Sequence, residues 1–143
     1  MNALQTLADQ LRTEDTPISP YVVDPAEPPE LGELAASGPE AAEYALVVEA
    51  VREGYLLHYE QPRLLAGHDP DLALLAGDYL YALGLDRLAA LGDTRAVALL
   101  ADLISECARL QAVEEVEGIP ALWRTAAEEI GASVTQVTDI PSL

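Results

Sequence analysis

The densest polar cluster in the sequence is His68-Asp69-Pro70-Asp71. Grouped carboxylates beside an imidazole are donors that a hard divalent cation can use, so Asp69 and Asp71 are the metal-ligand candidates. Adjacent positions make a weak ligand pattern. A helix cap followed by proline and a first-turn acid accounts for the same four residues without a metal. His58 with Glu60 is a second acid–imidazole pair, and its plain alternative is a histidine at a helix end. Glu114, Glu115 and Glu117 read as a solvated helix end, and Trp123 as a packing anchor. No Ser-His-Asp order, no glycine-rich phosphate loop and no Cys/His metal spacing occurs. These residues alone define no active site.

The element expected to organise the rest is the apolar run from Leu72 to Leu91, whose only charges are Asp78, Asp86 and Arg87. A helix that is apolar nearly all round is expected to be buried among other helices. Gly77 and Gly84 lie about two turns apart and so share a side. A glycine inside a helix costs up to roughly 1 kcal/mol relative to alanine and is tolerated where another backbone comes close. Gly77, Asp78 and Gly84 are therefore the expected helix-contact residues. A carboxylate in the middle of a buried helix needs a partner. Asp78 reads first as a structural residue tied to a neighbouring helix, and second as part of a shared active site or interface.

The chain has 143 residues, enough for one domain with a real core, and half of them are apolar. It carries 25 acidic residues against 7 basic ones, a formal net charge of −18. All the basic residues are arginine. Nucleic acid and anionic membrane surfaces both draw on clustered cations, so the charge argues against either as a partner. A basic partner, or a Mg²⁺-rich setting, fits better. Cys107 is alone in an apolar helical pattern, which excludes a disulfide framework and suits a small core residue. The start shows no signal-peptide pattern and no run is long enough to span a membrane, so a cytoplasmic location is the expectation.

Along the chain, Leu4, Leu7, Ala8 and Leu11 predict a short amphipathic helix within residues 1–15. Residues 16–39 are dense in proline and acid, which prevents a continuous helix. They read as an extended arm anchored by Tyr21, Val22 and Val23, with room for a turn or two at 30–36. Residues 40–131 are the expected helical bundle. One helix starts at Gly38-Pro39-Glu40 and runs to about Tyr59; the central helix starts at Asp69-Pro70 and ends at Gly92. Asp93 caps a third that continues to about Glu117 before Gly118. Pro120 opens a last short helix closed by Gly131, and residues 132–143 form a tail. The fold class is all-α, with about five helices and short loops.

Leu75-Ala76-Gly77-Asp78-Tyr79-Leu80 is similar to the "LAGDYL" helix of the trans-polyprenyl diphosphate synthases. The surroundings agree in order. Leu56-Leu57-His58 resembles the end of the helix that leads into that family's first aspartate-rich motif. The Gly92-Asp93 break and the long helix reaching Gln111 resemble the stretch before its Gly-Gln element. The resemblance covers about residues 40 to 117 and implies a bundle like the N-terminal half of an isoprenoid synthase.

It also implies what is missing. Where the family carries aspartates that hold Mg²⁺ on the allylic diphosphate, this chain has Tyr59, Glu60 and Arg63. The diphosphate-binding arginine pair has no counterpart in the shortened connection, and the chain ends before the second aspartate-rich motif. Ionising an allylic diphosphate depends on metal neutralising the leaving group, and one glutamate does not supply that. No catalytic residue and no cofactor is expected in this chain; Mg²⁺ is expected in a catalytic partner. The resemblance narrows to the small, non-catalytic subunit of heterodimeric hexaprenyl or heptaprenyl diphosphate synthases. It implies association with a larger catalytic subunit and a share in setting product length. The positions that gate product length in the family match Gly54 and Tyr55, with His58 beside them; Tyr55 also reads as an ordinary core aromatic. The alternatives are a stand-alone acidic helical adaptor that self-associates or takes an unrelated partner, and a small bundle holding a hydrophobic ligand.

Overall fold

The computed structural model describes residues 1–138, with side chains through residue 133. Six α-helices occur among them: α1 (Ala3–Thr13), α2 (Glu30–Ala35), α3 (Ala41–Tyr59), α4 (Pro70–Ala90), α5 (Thr94–Ala112) and α6 (Ile119–Thr138). A 3-10 turn lies at Ser19–Tyr21, and an isolated antiparallel bridge joins Val22 to Leu65. The protein is all-α, as the periodicity predicts. None of the described helices is long and apolar enough to cross a membrane.

The helix starts follow their local chemistry. The Asn2 side chain accepts from the Gln5 amide while the Gln5 side chain accepts from the Asn2 amide, closing a capping box on α1. Asp69 accepts from Leu72 N at 2.7 Å and caps α4, with Pro70 in the first turn. Asp93 accepts from Ala96 N at 3.0 Å and caps α5, after Gly92 turns the chain at φ +76°. Pro39 falls just before α3 rather than in its first turn, because Gly38 turns at φ +73° and Glu40 takes the cap position.

Two helix ends differ from the expectation. α5 stops at Ala112, not near Glu117. Glu114 adopts the left-handed conformation at φ +59°, and Glu115 N donates back to Leu110 O at 2.9 Å. That is a glycine-type C-terminal motif formed by a glutamate. Gly118, in turn, stands just ahead of α6. Gly131 does not close α6, which runs on to Thr138. A Cβ at Gly131 would collide with the carbonyl oxygen of Leu34, so this glycine lets α6 lie against α2. Residues 132–138 of the expected tail are therefore helical, and residues 139–143 lie outside the described residues.

The helix at the centre is α3, not α4. Thirteen of the nineteen α3 residues are buried, against five of the twenty-one in α4. One core, built from Val47, Val48, Val51 and Tyr55 of α3, takes in Leu88 of α4, Leu100 and Cys107 of α5, and Trp123 and Ile130 of α6. A second core lies on the other side of α3. There Leu46, Ala50 and Leu57 meet Leu4, Leu7 and Leu11 of α1, Leu64 and Leu65 of the connection, and Ala76 and Leu80 of α4. α4 has one side in this packing and leaves Leu74 51% and Leu75 67% exposed.

The arm lies on the bundle. Val23 N donates to Leu64 O at 2.8 Å and Ala66 N to Tyr21 O at 3.0 Å, so the arm and the α3–α4 connection hold each other in two-stranded register. Ile18 and Ala35 anchor it and are buried, whereas Val23 is exposed.

Candidate functional site

α3 and α4 cross at Gly54 and Gly77. A Cβ on Gly54 would sit 2.9 Å from Gly77 O, and one on Gly77 would sit 3.1 Å from Gly54 O. Backbones this close leave no room for a side chain at either position. Gly84 makes a similar approach to α3 about two turns further along the same side, where a Cβ would meet Val51 Cγ2 at 2.5 Å. The glycine-bearing contact read from the sequence is thus a real seam, with Gly54 of α3 as its second half.

The seam positions a polar pair. The His58 ring lies against Gly77, stacks on Tyr81 with centroids 5.3 Å apart, and places Nε2 2.9 Å from Asp78 Oδ1. Asp78 is tied to a neighbouring helix, as expected, but it is not buried: its side chain is 74% exposed. This follows from α4 having an open face, on which Asp78 stands one turn beyond Leu74 and Leu75. The other neighbours of the pair are phenols. Burial raises the Tyr81 hydroxyl above the ordinary tyrosine range, so it stays protonated and is no nucleophile at neutral pH.

Tyr55 lies inside the bundle. Its ring packs 5.4 Å from that of Trp123 and 5.2 Å from that of Tyr59, and its hydroxyl accepts from Gln111 Nε2 at 2.9 Å. Burial pushes its phenol up to about 12. Gly54, His58, Gly77 and Asp78 therefore come together at one seam, with Tyr55 on the core side of the same helix.

Asp69 and Asp71 do not join that seam. Asp69 is committed to the α4 cap and Asp71 is exposed in the first turn. Among the described residues no three His, Cys, Asp or Glu side chains are grouped as a metal site.

Buried chemistry that the sequence reading missed lies at the end of α3. Glu49 and Glu53 are both 0% exposed. Arg63 spans them, with Nη1 2.8 Å from Glu49 Oε2 and Nε 2.9 Å from Glu53 Oε1. The remaining carboxylate oxygens accept from backbone. Glu49 Oε1 takes the Gly32 amide at 3.1 Å, and Glu53 Oε2 takes the Arg63 and Leu64 amides at 2.7 and 2.9 Å. Every carboxylate oxygen is satisfied, which is what keeps two buried carboxylates with one guanidinium tolerable. Two acids one turn apart on the helix with a nearby arginine is a signal the sequence does contain. Its meaning depends on the connection folding back over α3.

Tyr59, Glu60 and Arg63, compared above with an aspartate-rich motif, go different ways. Arg63 is committed to Glu49 and Glu53, Tyr59 is half-exposed, and Glu60 is exposed past the end of α3. The three do not form a carboxylate set. Beside them opens a cleft of about 590 Å³ between α3 and the segment leading into α2. Arg52 lines it, with its guanidinium carbon 5.2 Å from the Tyr55 ring centroid and 5.1 Å from that of Trp123. Comparison of the chain with family models, with curated proteins and with solved structures finds no match.

Proposed function

We propose that this protein is a non-catalytic helical subunit that binds and stabilises a larger prenyl diphosphate synthase and helps set product length. The observation that carries the docking part is the open face of α4. Leu74 and Leu75 project into solvent from a helix otherwise anchored at a glycine seam. Large apolar side chains clustered on a rigid element are what a protein partner covers. The link to isoprenoid chemistry rests on the similarity of residues 75–80 to the family's helix. Magnesium, in this reading, belongs to the catalytic partner, which carries the carboxylates that hold it.

Charge favours a different partner over a second copy. Two chains of formal charge −18 repel on approach, and Asp71 and Asp78 rim the exposed leucines. A partner with a basic rim around an apolar patch complements this face. With Tyr55 inside the bundle, an influence on product length would pass through the α3–α4 seam around Gly54 and His58.

The test is association. Co-expressed with the polyprenyl synthase of its own source, the chain should co-elute as a stable heteromer, and Leu74→Asp with Leu75→Asp should release it. A chain that stays monomeric beside that synthase ends the proposal, as does prenyl transfer by the isolated chain.

A further inference from the structure

Two arginines have no carboxylate partner among the described residues, and of these Arg95 is exposed to water at the start of α5 whereas Arg52 is partly buried. Arg12, Arg63, Arg87, Arg109 and Arg124 each make an ion pair with a carboxylate. Arg52 makes no ion pair and no hydrogen bond within the described residues, although it is partly buried in a chain with 25 acids. Its Nη1 is sealed from solvent without a partner, over the faces of Tyr55 and Trp123. The rings compensate part of the charge. They do not use the in-plane donors of a planar group that grips carboxylates in a fork. Burial also holds Arg52 below the usual arginine range, with Glu60 opposing that shift.

The cleft beside Arg52 constrains what those donors would take. Leu31, Leu56 and the half-exposed Tyr59 provide its apolar wall. Glu27, Glu30 and Glu60 stand exposed around it, and none of them makes an ion pair. Glu49 also lines it, but its oxygens are occupied by Gly32 N and Arg63. A dianion such as phosphate would meet one guanidinium among three exposed carboxylates and be repelled. A simple cation would meet the guanidinium. A molecule carrying one negative and one positive group satisfies both.

We propose that this cleft binds a small zwitterion with an apolar side chain, in the class of apolar amino acids and dipeptides. Its carboxylate would lie toward Arg52, its ammonium toward Glu27, Glu30 and Glu60, and its side chain along Leu31, Leu56 and Tyr59. This site is separate from the α4 face and does not depend on the partner proposed for it.

The test titrates the full chain, followed by amide chemical shifts, with three probes: leucyl-leucine, its N-acetyl form and its methyl ester. Leucyl-leucine should bind saturably and shift the amides of 27–31 and 52–63. Each blocked form should bind about 10-fold or more weakly, since each loses one charge-assisted contact. Arg52→Met, which keeps the stem over the rings, should abolish binding. Should that variant lose its helical signal, the Glu27→Gln/Glu30→Gln double variant decides. It should weaken leucyl-leucine and not weaken the N-acetyl form, an anion that gains from the loss of two carboxylates. The proposal is overturned by no saturable shift with any probe, by an ester that binds as tightly as the zwitterion, by a folded Arg52→Met that still binds, or by a double variant with unchanged affinity for leucyl-leucine.

Discussion

Arg63 Nε donates to Glu53 Oε1 at 2.9 Å, across ten residues of chain and onto a carboxylate with no exposure to solvent. The same guanidinium reaches Glu49, and Glu49 in turn accepts from Gly32 of α2. One arginine thus ties the α3–α4 connection to the central helix at the point where α2 also docks.

Arg63→Met should be among the most damaging single changes. It leaves two buried carboxylates without their cation, a class of change that costs about 3–5 kcal/mol. Urea unfolding should show the midpoint falling with the slope nearly unchanged. Adding Glu49→Gln and Glu53→Gln to Arg63→Met should recover part of that loss, because no buried charge remains and the amide oxygens still accept from the Gly32, Arg63 and Leu64 amides. A mild Arg63→Met would mean that the lock contributes little.

The glycines make a matched pair of tests. Gly131→Ala places a methyl against the Leu34 carbonyl and should destabilise by about 1–3 kcal/mol, as overpacking does. Gly118→Ala meets open space at an ordinary backbone conformation and should be neutral or stabilising by up to about 1 kcal/mol. Thermal unfolding of the two variants side by side checks both the α2–α6 contact and the helix limits. Equal effects would contradict this packing.

The His58–Asp78 pair should contribute little to stability despite its 2.9 Å distance. Asp78 is largely exposed, and pairs of that kind are worth about 0–1 kcal/mol. A double-mutant cycle with His58→Ala and Asp78→Ala should return a coupling in that range that shrinks with added salt. A large, salt-insensitive coupling would show that the pair is shielded from solvent.

Alkaline pH should destabilise the fold through its phenols. Tyr44 and Tyr55 are both pushed from 10.0 to about 12, by burial first; for Tyr44 the Asp93 carboxylate it donates to comes next. A folded-state value above the unfolded one means that the native state holds its proton longer. The stabilisation is therefore complete below about pH 10 and lost as pH rises toward about 12. Tyrosinate absorbance should lag behind free tyrosine until unfolding begins. Tyr55→Phe should remove part of the pH dependence and, at neutral pH, leave the Gln111 amide unpaired at a cost of about 1 kcal/mol.

Residues outside the core should be quiet. Leu75→Glu should change the stability of the isolated chain by no more than about 0.5 kcal/mol, because the side chain is already in water. The same change should abolish association with the proposed partner. A strongly destabilised but still associating variant would place this leucine in the fold rather than at an interface.

Local chemistry made much of the architecture legible. Asp69-Pro70 and Gly92-Asp93 bracket helices because caps, proline and left-handed glycine act within one turn of chain. The 3.6-residue spacing of Leu4, Leu7 and Leu11, and of Ala96, Leu100, Leu103 and Cys107, marks the faces of α1 and α5 that are buried. Gly77 and Gly84 marked a close helix contact for the same reason: a missing side chain is a local fact.

Which helix lies at the centre was a matter for the tertiary structure. By composition α4 is the more apolar helix, whereas α3 carries Glu49, Arg52 and Glu53 and reads as the wetter one. Arg63 reverses that order, because a carboxylate enters a core only when its partners arrive from elsewhere in the chain. Gly131 is the same lesson at a helix end. Glycine breaks a helix by intrinsic preference, but here the helix continues because Leu34 needs the space. The sequence by itself determined an acidic, all-α chain with caps, turns and buried faces set by neighbours a few residues apart. Long-range contacts decided that α3 is the core, that α4 keeps an open side, and that Arg52 is left without a carboxylate, since each depends on groups ten or more residues distant.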